Sequence, residues 1–168
     1  MDIRILKESD AQAWWNLRLQ ALTGEPKAFG KSPEEHIATP VDAIAKRFRE
    51  STADAFTPGA FEAGRLIGIA TFMRRTGLKE LHKGELFGVY VDPDFRRRGV
   101  ARELIESIRK SAQQDPSLEQ ILLSVSTAQP AACALYRSLG FLTYGTEPNA
   151  LKIGDSYIDE DHMILRLR

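Results

Sequence analysis

Cysteine and histidine are scarce in this chain, and their scarcity removes whole classes of chemistry. Cys133 is the only cysteine, so no disulfide can close within the chain, which fits a reducing compartment. The three histidines, His36, His82 and His162, are dispersed and form no ligand-spaced cluster, so no metal is expected. No apolar run approaches the about 18 residues of a membrane-spanning helix. The opening MDIRILKESD is too charged to be the apolar core of a secretory signal. The G-x-x-x-x-G-K-[ST] run of nucleotide triphosphatases is missing too. Neither charge sign dominates: 23 Lys and Arg balance 23 Asp and Glu, so no global field draws nucleic acid or an acidic membrane. The expectation is a cytoplasmic protein with no nucleic-acid or membrane partner.

What is present is ordinary for a globular protein, at 43% hydrophobic and 27% charged residues in a chain of 168. That length suits one domain over residues 1–168 with a substantial core, and no repeat, low-complexity tract or linker marks a boundary. The periodicities alternate between strand and helix. Ile3 to Leu6 reads as a short strand. Ser9 or Asp10 can cap a helix to about Leu22 that carries Trp14, Trp15, Leu19 and Leu22. Residues 24–40 are polar, irregular and long for a compact domain, which marks them as mobile or functional. Thr39-Pro40 starts a second helix with Ile44 and Phe48 inward. A hairpin over residues 60–74 turns near Gly64-Arg65. Near the end, residues 156–160 read as connection and residues 162–167 as a terminal strand.

The stretch at residues 85–101, ELFGVYVDPDFRRRGVA, carries the most information. Leu86, Phe87, Val89, Tyr90 and Val91 form a β-favouring run suited to a central strand covered on both faces. Pro93 ends it, since it cannot donate to a ladder and pushes its predecessor out of the helical region. Beyond the turn, Ala101, Leu104, Ile105, Ile108 and Ala112 recur at helical spacing. A helix starting there presents N–H groups without intrahelical partners at its positive end, an arrangement that suits a pyrophosphate. Gly99 allows close backbone approach, small Ala101 keeps it clear, and Arg96, Arg97 and Arg98 add positive charge. Taken alone, the same run also fits an ordinary turn in which Asp94 caps the helix and the arginines are solvated.

A second unit follows. EQILLSV, from Glu119, reads as a strand, and Gln129-Pro130 starts a helix with proline at its favoured first position. Ala132, Cys133, Leu135, Tyr136 and Leu139 form its inner stripe, Gly140 ends it, and Phe141 begins the next strand. On that stripe Cys133 reads as a packing residue rather than a nucleophile.

The passage LLSVSTAQPAACALYRSLGF resembles the second half of the GCN5-related N-acetyltransferase (GNAT) superfamily, V-x-x-x-N-x-x-A-x-x-L-Y-x-x-x-G-F, with Gln129 in place of the asparagine. The earlier run resembles the same superfamily's acetyl-CoA loop, V-x-P-x-x-[QR]-x-x-G-x-[GA], carried by Val91, Pro93, Arg96, Gly99 and Ala101. The tail, with Gly145-Thr146-Glu147-Pro148, looks like a group of family members with a turn there before the last strand. The resemblance implies an α/β (α+β) fold: a mixed, twisted central sheet of about seven strands with helices on both faces.

It also implies a chemistry, the direct transfer of an acetyl group from acetyl-CoA to a primary amine in a ternary complex. The backbone of Val89, Tyr90 and Val91 would hold the pantetheine arm, and Arg96, Arg97, Arg98, Gly99, Val100, Ala101 and Arg102 the pyrophosphate. Tyr136 falls on the family's general-acid tyrosine, with a core tyrosine as the bland alternative, and Gln129 would contact the pantetheine. The glutamate that some members use as a base corresponds to Ser124 here. That leaves Glu85 as the candidate base, or else a solvent-facing strand residue, with His82 and the loop residues Glu34, Glu35 and His36 behind it. The acceptor amine cannot be read, and a homodimer stays open. Two other functions stay open: a non-catalytic acetyl-CoA sensor of the same fold, and a transferase for another acyl-CoA.

Overall fold

The computed structural model describes residues 1–168. Strand β1 (Asp2–Ile5) leads through a 3-10 turn into α1 (Ala11–Gly24), followed by α2 (Pro33–Ile37) and α3 (Val41–Arg49). Then come β2 (Ala55–Phe56), β3 (Pro58–Glu62), β4 (Arg65–Arg74) and β5 (Lys83–Val91). Two strand–helix units follow, β5 with α4 (Val100–Gln113) and β6 (Gln120–Ser126) with α5 (Pro130–Ser138), before the closing hairpin of β7 (Leu142–Ile153) and β8 (Ser156–Arg166). The strands form one eight-stranded sheet in the order β1-β3-β4-β5-β6-β8-β7, with β2 against β4. Every pairing is antiparallel except β5 with β6.

The sheet is mixed, with helices on both faces, as expected. Leu104, Ile105 and Ile108 of α4 and Cys133 and Tyr136 of α5 share one buried cluster with Ile121, Leu123, Val125, Met163 and Leu165. Trp14, Leu17 and Ala21 of α1 and Ile44 and Phe48 of α3 build a second cluster with Leu66, Ile69 and Tyr90. Ile69 and Ala70, adjacent on β4, fall in different clusters, as the alternation of a strand between two layers requires. Phe72, 1% exposed, fills the first cluster. Phe72→Ala is expected to cost about 3–5 kcal/mol in urea unfolding, from lost transfer energy and the cavity left behind.

The eight strands agree with the expected count of about seven, the brief pairing of Ala55 and Phe56 with Met73 and Phe72 adding one to the main path. Three expectations need correction. Residues 156–160 are not connection but the start of β8, and Gly145-Thr146-Glu147-Pro148 lies inside β7 rather than in a turn. Both segments belong to a long hairpin at the sheet edge that turns through Gly154 (φ +58). Register shifts interrupt it, so its polar face shows no clean alternation in the sequence. Finally, residues 24–40 are not wholly irregular, because α2 sits within them. Ser32 accepts from the Glu35 N–H, Glu35 accepts from the Ser32 N–H, and Pro33 takes the first helical position.

Candidate active site

A cleft opens where β5 and β6 part. Lys83, Gly84 and Glu85 pair with Gln120, Ile121 and Leu122, and no pairing follows. Strand β6 stays paired with β8 without a register shift from Gln120 to Ser126. Strand β5 bends away: between the pairs Ile69–Tyr90 and Thr71–Phe87, β4 contributes only Ala70 while β5 contributes Gly88 and Val89. This bulge needs the left-handed backbone of Gly88 (φ +64). The edge of β5 that faces β6 beyond Glu85 therefore presents peptide groups with no ladder partner. The resulting space is about 650 Å³, with Val89, Val91, Gly99, Ala101, Gln129 and Tyr136 among its lining.

The end of the cleft at α4 is built for an anion. Asp92, 2% exposed, takes the Arg65 guanidinium at 2.5 Å and the Asp94 N–H at 3.1 Å, which fixes the turn. Asp94 does not cap α4. Gly99 is the N-cap, in the left-handed region at φ +81, and no side chain occupies the cap. Glu103 donates the first intrahelical bond, to the Gly99 carbonyl at 3.0 Å, so the N–H groups of Val100, Ala101 and Arg102 point outward unpartnered. A Cβ at Gly99 would meet nothing within 4 Å, which leaves the approach clear.

The arginines divide more sharply than the sequence implied. Arg97 and Arg102 line the cleft, and Arg102 donates to Ser138 Oγ at 2.7 Å. Arg96 is already engaged, donating to the Val91 carbonyl at 3.1 Å and to Glu25 Oε1 at 2.9 Å. Arg98 turns away, toward Glu62 at 3.5 Å and over the Phe95 ring. Neither Arg96 nor Arg98 is a free cation at the helix end. Glu25 had no sequence signal beyond lying at the start of the long loop, yet it bridges the cleft. Its Oε2 accepts from Gln129 Nε2 at 3.3 Å while its Oε1 holds Arg96.

Tyr136 reaches the cleft from α5 and packs edge-on against Phe141 at 5.7 Å. Burial, followed by the nearby Cys133, pushes its phenol well above the usual tyrosine range, and no group of the chain hydrogen-bonds it. A neutral hydroxyl facing the cleft is thus available as a donor. Cys133 is buried, with Sγ 3.7 Å from the Ser126 carbonyl, a packing position.

Glu85 is not brought to the cleft. It is held outside by Arg75, whose Nη2 lies 2.7 Å from its Oε1. The loop residues are not brought there either. Glu34 and Glu35 belong to the first turn of α2, and His36 is 1% exposed, with Nε2 2.9 Å from the Trp15 carbonyl. Instead the cleft receives Glu160 of β8, together with Ser124. Ile121, Leu123 and Val125 face α4 and α5, so Ser124 points to the opposite face. On that face Ser124 Oγ meets His162 Nδ1 at 2.8 Å, and His162 Nε2 meets Glu147 Oε2 at 3.2 Å. Burial raises the carboxyl pKa of Glu160, and the charge of Glu147 adds to the shift. In the sequence Glu160 ends the stretch read as connection and His162 opens the last strand, and only the β6–β8 register reveals their place. No group of three His, Cys, Asp or Glu residues gathers as a metal site, and no helix is long and apolar enough to cross a membrane.

Known proteins resemble this chain in sequence and in fold. The sequence profile of the acetyltransferase (GNAT) family matches residues 12–141. N-alpha-acetyltransferase RimI of Mycobacterium tuberculosis is 29% identical over 150 residues, covering 85% of this chain and 79% of that protein. The [ribosomal protein bS18]-alanine N-acetyltransferase of Salmonella typhimurium is 41% identical over 61 residues, or 36% of this chain and 40% of that protein. The match to human N-acetyltransferase 8 likewise spans 61 residues at 36% identity, covering 36% of this chain and only 26% of that relative's length. Among solved structures, yncA from Salmonella typhimurium, determined with acetyl-CoA, superposes with a TM-score of 0.86. It is 20% identical, with 100% of this chain and 94% of that chain covered, a likeness of fold. This chain belongs to the acetyltransferase (GNAT) family.

Proposed function

We propose that the chain is a single-domain, cytoplasmic N-acetyltransferase that moves an acetyl group from acetyl-CoA to a primary amine by direct transfer. The observation that carries this reading is the cleft between the parted strands, which joins an unpaired β5 edge, an open helix N-terminus and a cleft-lining tyrosine whose hydroxyl has no partner in the chain. These groups fit the cosubstrate. The N–H groups of Val100, Ala101 and Arg102, with the Arg97 and Arg102 side chains, would hold the pyrophosphate. The backbone of Val89, Tyr90 and Val91 would take the pantetheine arm as an added strand, and Gln129 would face it from α5. Arg96 acts indirectly, by fixing Glu25 and the end of β5.

When bound, acetyl-CoA supplies a thioester whose acetyl carbon bonds to the amine nitrogen as its carbon–sulfur bond breaks. Tyr136 donates a proton toward the departing sulfur. Glu160, rather than Glu85, accepts the proton released by the amine, directly or through water, with Ser124, His162 and Glu147 beside it.

Below its raised pKa, Glu160 is protonated and cannot accept a proton. The acid limb of the kcat/KM profile is therefore expected above the ordinary glutamate range of about 4.3. Glu160→Gln should remove that limb and lower kcat by about 10²–10⁴-fold. An unchanged profile in the variant would remove Glu160 from the mechanism. The activity itself is tested by thiol release from acetyl-CoA with a panel of primary amines, with the acetylated product identified by mass spectrometry. Acetylation of none of them would count against the reading.

A further inference from the structure

Arg18 is the one residue lining the cleft whose chemistry remains unassigned. It projects from α1 beneath the β5 bulge. Its guanidinium lies 4.3 Å over the Phe29 ring, and a Cβ placed on Gly88 would be 3.8 Å from its Nη1. Nη1 is sealed from solvent and has no hydrogen-bond partner. No carboxylate pairs with it. The only charge acting on it is that of Arg47, and burial together with that like charge pushes it down to about 10, so it is still a cation at neutral pH.

A largely covered cation with one sealed, unpartnered N–H group and no carboxylate partner is costly, because its lost hydration is offset only by the Phe29 ring. A planar guanidinium matches a carboxylate through two parallel hydrogen bonds, and in a low-dielectric site such a pair is strong. The site also has a complementary wall. Phe87 flanks the bulge that Gly88 forms, and Ser124 and Glu160 lie across the parted strands on the face away from α4 and α5. The cleft thus offers a cation from α1 and a carboxylate from β8 on either side of the place where the strands separate.

We propose that Arg18 receives the carboxylate of the acceptor, so that the acceptor is an amine bearing its own nearby carboxylate, of the α-amino acid class. A protein N-terminus, in which that carboxylate is an amide, would leave Arg18 unpaired. This inference rests on the acetyltransferase reading of the same cleft, with the amine of the zwitterion directed to Glu160.

The test compares free L-amino acids with their carboxamides as acceptors for acetyl-CoA, in the wild-type protein and in Arg18→Met. The wild type should prefer its best amino acid over the matching carboxamide by about 10–100-fold in kcat/KM, as a charged hydrogen bond provides. Arg18→Met should lose that preference through KM, yet melt about 2–4 °C higher without ligand, because the unpaired charge is gone. Acetyl-CoA should stabilise both proteins alike. Loss of that response in the wild type would sink the acetyltransferase reading instead, which separates the two failures. Carboxamides acetylated as well as the acids, no free amino acid acetylated at all, or a preference that survives in Arg18→Met would each overturn the proposal. Succinyl-CoA turned over better than acetyl-CoA, with that advantage lost in Arg18→Met, would put the carboxylate on the acyl group and overturn the acceptor assignment.

Discussion

Gly99→Glu is expected to abolish acetyl-CoA binding while leaving the protein folded. Gly99 is the N-cap of α4 at φ +81, where an L-residue pays about 1–2 kcal/mol for the left-handed backbone. A Cβ there meets no protein atom within 4 Å, so the substitution has open space to enter. A carboxylate near a helix N-terminus also regains about 0.3–1 kcal/mol from the dipole. The net loss of stability is therefore small. Binding has no such compensation, because the glutamate occupies the space in front of the Val100, Ala101 and Arg102 N–H groups and repels phosphate. Isothermal titration calorimetry should show the affinity falling by more than about 100-fold, the loss of several charge-assisted hydrogen bonds. Affinity equal to wild type would remove this loop from the cofactor site.

Tyr136→Phe should separate chemistry from binding. The hydroxyl has no partner within the chain, so removing it breaks no internal hydrogen bond, and the ring keeps its contact with Phe141. Thermal stability is expected to be equal or slightly higher. Acetyl-CoA affinity should also hold, since the ring still lines the cleft. Turnover should drop by about 10²-fold, the usual contribution of a positioned proton donor. Equal kcat in the variant would leave Tyr136 as a packing residue and move the proton to solvent.

Both of these residues were legible in the sequence because they lie in strand–turn–helix units whose signals are local. The β-run ending at Val91, Pro93, Gly99 and the periodic apolar stripe of α4 follow one another without a break. The same holds for Pro130 to Gly140 around Tyr136. What the sequence could not show depends on pairing across long separations. Arg96 is bound to Glu25 and Arg98 to Glu62, so two of three adjacent arginines are neutralised by distant partners. Glu85 lay on the right strand but faces Arg75, while Glu160 reaches the cleft only because β8 pairs with β6 in a register that sets it opposite Ser126. A bulge at Gly88 shifts the strand's alternation, and nothing in LFGVYV marks it except the glycine itself. Helix α2 is obscured for a different reason: its Ser32-Pro33-x-Glu35 signature is short and sits within the overall polarity of residues 24–40.

Every catalytic role proposed above requires the cleft between β5 and β6 to be an acetyl-CoA site. The direct measurement is thermal unfolding of the wild-type protein with increasing acetyl-CoA, with ATP and NAD as controls. At about 100 times its dissociation constant, a ligand that binds only the folded state adds roughly 2.7 kcal/mol. The prediction is an upward shift of that size with acetyl-CoA, little with ATP or NAD, and none in Gly99→Glu. An unmoved transition with acetyl-CoA, or an equal shift with ATP, would contradict the assignment of the cleft and every catalytic role built upon it.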